Sequence, residues 1–365
     1  MIDGINIIGP VFGELGIGED VRTLAEALCS LDIPIAIFNY PDKIPTRQGD
    51  RTFEKYVVED LVYGYSIFCL PAIEMLRFVL QYGPEPLVSR YTIGYWPWEL
   101  HTWPQQFAFV QEYVREIWAS SRFALDCYRH AFTKPVHHIP LILKPASVEK
   151  SPGTDAIVDL SSRAFKFLFV FDANSTVERK NPQGLIRAFH QAFGDSKEVE
   201  LVLKTMNYDA GHSEFNALIE TADNIVLINE AYSKHQITAL YEATDAYVSL
   251  HRSEGFGRTI AEAMLAQSAA VVSDYSGSQD FCTENNSFLV PGELVDVKPY
   301  SYLFWRGARW FEPSISAATA ALAECFRNEA LREDKKANAY RYILENFSTE
   351  AVAKKILSRL EKIPA

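Results

Sequence analysis

The stretch AYVSLHRSEGFGRTIAEAML, residues 246–265, predicts a strand, a loop and a helix in direct succession. A short run of strand-forming residues comes first, and apolar residues at helical spacing come last. Between them, Gly255 and Gly257 permit backbone conformations that other residues avoid, and they let a ligand approach the main chain. Such a unit is the building block of a parallel α/β sheet, in which ligands bind beyond the carboxyl ends of the strands.

The same alternation of strand-like and helix-like segments continues along almost the whole chain. Further strands are expected at residues 5–11, 33–38, 66–70, 91–96, 116–120, 136–141, 166–173, 199–205, 224–229 and 269–274. Amphipathic helical stretches lie between most of them, which indicates βαβ units and parallel sheets. Residues 145–164 interrupt the pattern with Pro, Ser and Gly, and we interpret them as a domain boundary.

We therefore predict an α/β protein with two Rossmann-like, doubly wound domains that face each other across a cleft. The length of 365 residues suits two domains, one over residues 1–150 and one over residues 165–345. The terminal helix, within residues 348–365 and started by Ser348, is expected to pack back on the first domain.

Composition and charge exclude several classes of protein. A net charge of −12 argues against nucleic-acid binding, which needs a basic face to neutralise phosphates. No apolar run approaches the roughly 20 residues of a membrane span, and no signal peptide is visible after Met1. The cysteines are single and scattered, as expected for reduced thiols in a cytoplasmic protein. They are Cys29, Cys69, Cys127, Cys282 and Cys325.

Two glutamates frame the glycine-rich loop of the opening stretch. Glu254 is predicted in the loop itself and Glu262 one turn into the following helix, whose first amides attract anions. Spacing alone leaves two interpretations open. The pair could bind a ligand, or Thr259 and Glu262 could form a capping box while Glu254 remains an ordinary loop carboxylate.

The sequence SEGFGRTIAEAM, residues 253–264, resembles the signature of the family 4 retaining glycosyltransferases of the GT-B fold. The resemblance implies that Glu254 lies beside the donor sugar, where a carboxylate stabilises an oxocarbenium-like state, and that Glu262 binds the ribose hydroxyls. The residues between them are implied to contact the sugar hydroxyls and the phosphates. They are Gly255, Phe256, Gly257, Arg258 and Thr259. The later run DYSGSQDFCTENNSFLV, residues 274–290, also resembles this family.

The segment FDANSTVERKNPQGLIRAF, residues 171–189, predicts an anion site. Asn181 is a suitable N-cap and Pro182 suits the first helical position, so Arg179 and Lys180 stand just before a helix N-terminus. Two cations and unpaired amides match a diphosphate, although a basic pair in a loop can also be merely solvated.

The resemblance extends to this second loop. It implies that Lys180 neutralises the leaving nucleoside diphosphate. Many relatives carry another basic residue upstream, where this chain has Asp172, so Arg179 or Arg258 is expected to supply that charge. Lys204, at the end of a predicted strand, is expected to point toward the same site, with a solvated strand terminus as the alternative.

The first half of the chain contributes two weaker signals. GPVFGELGIGEDVRTL, residues 9–24, lacks the third glycine of a dinucleotide fingerprint. In the glycosyltransferase interpretation, Gly16 and Gly18 let this backbone approach the donor phosphates; otherwise they only form a turn. GYWPWELHTWPQQF, residues 94–107, resembles a WxWE segment of bacterial polysaccharide glycosyltransferases, which implies that Glu99 lies at the sugar site.

Two further alternatives concern this WxWE segment. His101 is a second candidate for the sugar site, where many relatives place a histidine. Trp96 and Trp98 could be stacking platforms for sugar rings or members of an aromatic core.

Taken together, the motifs predict transfer of a hexose, with mannose from GDP-mannose as the first expectation and a UDP-linked donor as the alternative. The acceptor is expected to be a saccharide or lipid-linked saccharide in surface polysaccharide synthesis. No DxD metal loop is present, so no metal and no cofactor are expected. A cytoplasmic location, including contact with the inner face of the membrane, follows from this role. An NAD-dependent oxidoreductase and a catalytically silent GT-B-like subunit are the alternatives.

Overall fold

The computed structural model describes residues 2–40, 47–145, 163–208, 219 and 223–363. The chain divides into two compact units, Met1–Leu143 with Glu345–Ala365, and Lys144–Leu344. The boundary predicted at residues 145–164 lies, apart from its ends, outside the described residues.

The first unit is built on a seven-stranded parallel sheet with the order β3-β2-β1-β4-β5-β6-β7. The strands are β1 (Ile5–Gly9), β2 (Ile35–Asn39), β3 (Val57–Val58), β4 (Tyr65–Phe68), β5 (Tyr91–Tyr95), β6 (Glu116–Ala119) and β7 (Val136–His138). The helices are α1 (Gly16–Ser30), α2 (Ala72–Tyr82), α3 (Glu85–Val88) and α4 (Arg122–Ala131), with 3₁₀ turns at Glu54–Tyr56 and Gln105–Tyr113. The predicted strand over residues 5–11 ends early because the Val11 amide donates to the Gly9 carbonyl at 3.0 Å and closes a turn.

The second unit contains a six-stranded parallel sheet, in the order β10-β9-β8-β11-β12-β13, and the antiparallel hairpin β14-β15. The strands are β8 (Phe165–Asp172), β9 (Val199–Met206), β10 (Ile225–Asn229), β11 (Ala246–Ser249), β12 (Ala269–Ser273), β13 (Phe288–Val290), β14 (Gly292–Asp296) and β15 (Arg309–Pro313). Its helices include α5 (Val177–Lys180), α6 (Pro182–Phe193), α7 (Lys234–Glu242), α8 (Arg258–Leu265) and α9 (Ile315–Arg327). The chain then continues through α10 (Glu329–Phe347) and α11 (Thr349–Leu360).

Both parallel sheets are doubly wound, so the prediction of two Rossmann-like α/β domains is confirmed. The winding reverses between β1 and β4 in the first sheet and between β8 and β11 in the second. Loops that follow the strands at such a reversal diverge and leave a crevice, which is where doubly wound sheets bind ligands. In the second sheet these are the two loops that the sequence analysis selected.

Helix α11 packs against α1 in the first unit and is fixed there by a buried ion pair. Ser348 caps α11 as predicted, its side chain accepting from the Ala351 amide. At the far end, Arg359 donates to both carboxylate oxygens of Glu116, which is fully buried. Burial raises the pKa of Glu116, but hydrogen bonds from Arg359, Trp118 and the Tyr91 hydroxyl lower it by more.

The substitution Arg359→Met is expected to destabilise the protein by about 3 kcal/mol, because it leaves the Glu116 carboxylate buried without its cation. Urea unfolding followed by circular dichroism measures the loss. The matched control is Lys354→Met, which breaks an ion pair with Glu350 whose side chains are 72% and 80% exposed. The control should change stability by less than about 0.5 kcal/mol. Equal losses in the two variants would contradict the role of the buried pair.

None of the helices in the described ranges is long and apolar enough to cross a bilayer.

Candidate functional site

The loops after β8 and β11 are joined into one structure at the reversal of the second sheet. Asn181 caps α6, as predicted, and its side chain also donates to the Leu250 carbonyl at 2.9 Å. The Arg252 amide donates to the Arg179 carbonyl at 2.8 Å, and the Arg179 guanidinium donates to the Ser253 carbonyl at 2.7 Å. We call the loop after β11, which carries Glu254, the acidic loop, and the segment after β8, which carries Arg179 and Lys180, the basic loop. These hydrogen bonds in both directions fix the two segments against each other.

Glu254 lies between the two cations of the basic loop. Its Oε1 atom is 2.5 Å from Lys180 Nζ and 3.1 Å from a terminal nitrogen of Arg179. Burial alone raises the pKa of this carboxyl, but the charges of Lys180, Arg179 and His251 outweigh burial and hold the pKa at about 2. Glu254 is therefore ionised at neutral pH. Lys180 and Glu254 each keep 13% of their side chains exposed, so a ligand can reach both.

Arg179 corrects one sequence-based expectation. Its side chain is only 2% exposed, and besides Ser253 its guanidinium donates to the carbonyl and hydroxyl oxygens of Ser175. An arginine so enclosed does not reach a donor phosphate, because it is buried and both of its terminal nitrogens already donate to the protein. Its place in the structure is to support Glu254 and the loop backbone.

A third segment, around Ser276 and Gly277, is hydrogen-bonded to the backbone of the acidic loop. The Glu254 amide donates to the Ser276 hydroxyl at 2.8 Å, and the Gly277 amide returns a bond to the Glu254 carbonyl at 2.9 Å. A Cβ atom on Gly277 would lie 2.2 Å from the Gly255 carbonyl oxygen, so only glycine fits there. Phe256 is 4% exposed and packs on Phe281 at a ring distance of 5.2 Å, so its ring serves the core.

The substitution Gly277→Ala is expected to displace the Gly255 backbone and to weaken, about tenfold or more, binding of the nucleoside diphosphate that the sequence analysis predicts, while overall stability falls by about 1–3 kcal/mol from overpacking. Isothermal titration with a nucleoside diphosphate measures the binding, and thermal unfolding measures stability. Gly64→Ala is the control, because nothing lies within 4 Å of its added Cβ. Unchanged binding in Gly277→Ala would show that this contact does not shape the site.

The capping-box interpretation of Thr259 and Glu262 is wrong. The N-cap of α8 is Gly257, at φ 95°, which places Thr259 inside the helix rather than at its cap. The Thr259 hydroxyl instead accepts from the Tyr247 hydroxyl at 2.8 Å, and Glu262 lies 3.5 Å from Arg258 one turn earlier. Arg258 and Glu262 keep 12% and 24% of their side chains exposed, so both face accessible space.

Lys204 differs from both of its predicted roles. The residue is 2% exposed, so it is not a solvated strand terminus. Its ammonium donates to the carbonyls of Thr205 and Glu230 at 2.9 and 2.6 Å and lies 4.5 Å from the centre of the Tyr232 ring. Burial lowers the pKa of Lys204 to about 8. It thus ties β9 to the segment after β10 and does not extend toward a ligand.

In the first unit, the glycine-rich turn after β1 depends on an arginine that the sequence analysis missed. The Arg22 guanidinium donates to the carbonyls of Val11 and Gly13 in this turn, at 2.7 and 2.9 Å. A Cβ on Gly18 would lie 2.0 Å from the Gly13 carbonyl oxygen, which favours the structural interpretation of that glycine. Gly16 begins α1 and is exposed.

The tryptophans of the WxWE segment belong to the core. Trp96 and Trp98 are 1% and 7% exposed and pack on Trp103 at ring distances of 6.1 and 4.5 Å. They are therefore not sugar platforms. Glu99 and His101 are both half-buried in the loop after β5.

Residues 162–301 match the family model described as Glycosyl transferases group 1. This segment contains both loops at the reversal of the second sheet and the bracing segment around Gly277. No curated protein sequence matches the chain significantly.

Several solved structures resemble the whole chain. Anabaena HepE, in complex with UDP and glucose, is 15% identical with a TM-score of 0.67 over 100% of both chains. Sucrose-phosphate synthase from Thermosynechococcus elongatus is 15% identical with a TM-score of 0.68 over 98% of each chain. An E. coli structure described as trehalose-6-phosphate bound with UDP-2-fluoro glucose is 11% identical with a TM-score of 0.65, covering 99% of this chain and 100% of that one.

The chain thus has the fold of the GT-B glycosyltransferases, and residues 162–301 match the glycosyl transferases group 1 model.

Proposed function

We propose that this protein is a retaining, metal-independent glycosyltransferase of the family 4 type that moves a hexose from a nucleoside diphosphate to a saccharide or lipid-linked saccharide. The observation that carries the proposal is the ionised Glu254 carboxylate beside Lys180, at the reversal of a doubly wound sheet. A carboxylate and a cation in contact, both accessible, suit a substrate with a sugar and a diphosphate next to each other.

Lys180 changes partners in this proposal. In the free protein its ammonium contacts Glu254, whereas in the donor complex it turns to the diphosphate, whose charge is larger. Arg179 stays at Glu254 and keeps the carboxylate ionised. Glu254 then stabilises the positive charge that develops on the sugar ring as the bond to the diphosphate breaks.

The first amides of α8 and the side chains of Arg258 and Glu262 complete the donor site. The helix N-terminus and Arg258 offer positive charge to the phosphates, and Glu262 accepts from the ribose hydroxyls. Two cations and a helix terminus can neutralise a diphosphate without a divalent metal. Glu99 remains a candidate sugar-binding residue on the resemblance of the WxWE segment alone.

The identity of the transferred hexose and of the nucleotide base can be determined by a binding experiment. The WxWE and RKNP segments favour GDP-mannose and a surface polysaccharide pathway at the cytoplasmic face of the membrane, whereas HepE was solved with UDP and glucose. Thermal shift with GDP-mannose, UDP-glucose, a dTDP-hexose and an ADP-hexose identifies the donor, since a ligand at 100 times its Kd adds about 2.7 kcal/mol.

The experiment that tests the function is release of nucleoside diphosphate from the identified donor, with and without EDTA, followed by NMR assignment of the product anomer. Retained configuration and activity in EDTA support the proposal. Donor binding without any hydrolysis or transfer would instead indicate a silent subunit. A thermal shift with NAD(H) but with none of the sugar nucleotides would contradict the proposal.

A further inference from the structure

The hairpin β14-β15 carries a basic and aromatic loop that the proposed transfer does not use. We refer to residues 298–309 as the tip loop. It contains Lys298, Arg306 and Arg309 and no acidic residue, in a chain with a net charge of −12. Arg309 forms an ion pair with Asp296 at 3.7 Å, so Lys298 and Arg306 carry the positive charge that this proposal uses. A local excess of positive charge on an acidic protein indicates a negatively charged partner.

The tip loop also exposes large apolar side chains. Tyr300 and Leu303 are 87% and 60% exposed, and Trp305 is partly exposed. The Tyr300 and Trp305 rings are 5.6 Å apart, and the Arg306 guanidinium lies 4.7 Å from the centre of the Trp305 ring. Clustered exposed apolar residues usually mark an interaction surface.

The base of the hairpin is firmly attached to the acidic loop. The Phe311 amide donates to the Arg252 carbonyl at 2.9 Å, and the Arg252 guanidinium binds both carboxylate oxygens of Glu312 at 2.6 and 3.0 Å. The Phe311 ring stacks on Tyr275 at 5.2 Å and 8°. These contacts join the base of the hairpin to the loop that carries Glu254.

We propose that the tip loop docks on the surface of an anionic lipid bilayer. Tyrosine and tryptophan favour the headgroup region of a bilayer, and neighbouring Lys and Arg side chains bind anionic headgroups. A second copy of the chain would bring two positively charged tips together.

Tryptophan fluorescence gives a site-specific test. Of the six tryptophans, Trp305 is partly exposed, whereas Trp96, Trp98, Trp103, Trp118 and Trp310 are at most 8% exposed. Adding vesicles of 70% phosphatidylcholine and 30% phosphatidylglycerol to the full chain should shift the emission to the blue, and vesicles of phosphatidylcholine alone should not. Trp305→Phe should abolish the shift but keep binding in a sedimentation assay.

Two double variants define the surface by vesicle sedimentation. Lys298→Gln with Arg306→Gln should lower the partition coefficient about 25-fold, since each basic residue near an anionic bilayer contributes about fivefold. Tyr300→Ser with Leu303→Ser should lower it at least tenfold. The matched control is Leu80→Ser with Lys354→Gln, at positions 86% and 72% exposed, and it should bind as the unmodified chain does.

The proposal is overturned if the unmodified protein does not sediment with the anionic vesicles, or if both tip variants bind as tightly as the control. A concentration-dependent dimer that the tip variants abolish, seen by sedimentation velocity without lipid, would assign the loop to a second copy and also overturn it. No sugar donor is present in any of these measurements, so their outcome is independent of the proposed transfer.

Discussion

Replacing Glu254 with glutamine is expected to lower the rate of sugar transfer about a thousandfold, because the neutral amide no longer stabilises positive charge on the sugar ring. Donor binding should be retained or tighter. Lys180 contacts Glu254 at 2.5 Å in the free protein, so the variant releases this cation for the diphosphate. Single-turnover kinetics and isothermal titration separate the two effects.

Glu293→Gln is the control for this variant, since Glu293 is an exposed carboxylate of the same unit and should leave both measurements unchanged. Weaker donor binding together with normal turnover in Glu254→Gln would contradict the assigned role. Acid stability offers a second readout, because the folded pKa of Glu254 lies at about 2, below its ordinary value of 4.5. Its contribution to stability is complete above pH 4.5 and is lost as the pH falls toward 2, and Glu254→Gln should lack this part of the acid dependence.

Replacing Lys180 with alanine is expected to raise the Kd for the donor about 50-fold, because one charge-assisted hydrogen bond to the diphosphate is lost. The rate at saturating donor should fall less than it does in Glu254→Gln. The pKa of Glu254 should also rise, since the charge of Lys180 is the largest influence that lowers it. Titration calorimetry with the nucleoside diphosphate and an acid unfolding series measure these effects.

Lys336→Ala is a suitable control for Lys180→Ala, because Lys336 forms an ion pair with Glu333 on helix α10, away from both loops. If Lys180→Ala binds the nucleoside diphosphate as tightly as this control does, the diphosphate does not contact Lys180.

The sequence predicted the fold well because the strands of both sheets are buried on two faces and appear as long apolar runs. FKFLFVFD in β8 is an example. The hairpin β14-β15 was missed because GELVD in β14 is mostly exposed and has no apolar run. Strand β3 has only two residues, too few for a pattern.

The site was predicted less completely, since sequence reasoning assigns residues to loops but not to each other. It placed Glu254 beside the donor sugar and Lys180 at the diphosphate, and nothing in the spacing indicated that the two side chains contact each other in the free protein. Gly277 had a signal, a glycine in a segment that resembles the family, but its reason is a close backbone approach visible only in three dimensions. Arg22 had none, because an arginine on a helix is usually solvated.

At the point where each sheet reverses its winding, a buried arginine donates hydrogen bonds to backbone carbonyls of the adjoining turn. Arg22 binds the carbonyls of Val11 and Gly13 in the first sheet, and Arg179 binds those of Ser175 and Ser253 in the second. An arginine does not lose its proton at any pH that a protein survives. Acidification that neutralises the carboxylates therefore leaves these hydrogen bonds in both turns intact, so the protein should recover the proposed activity on neutralisation without re-forming the two turns.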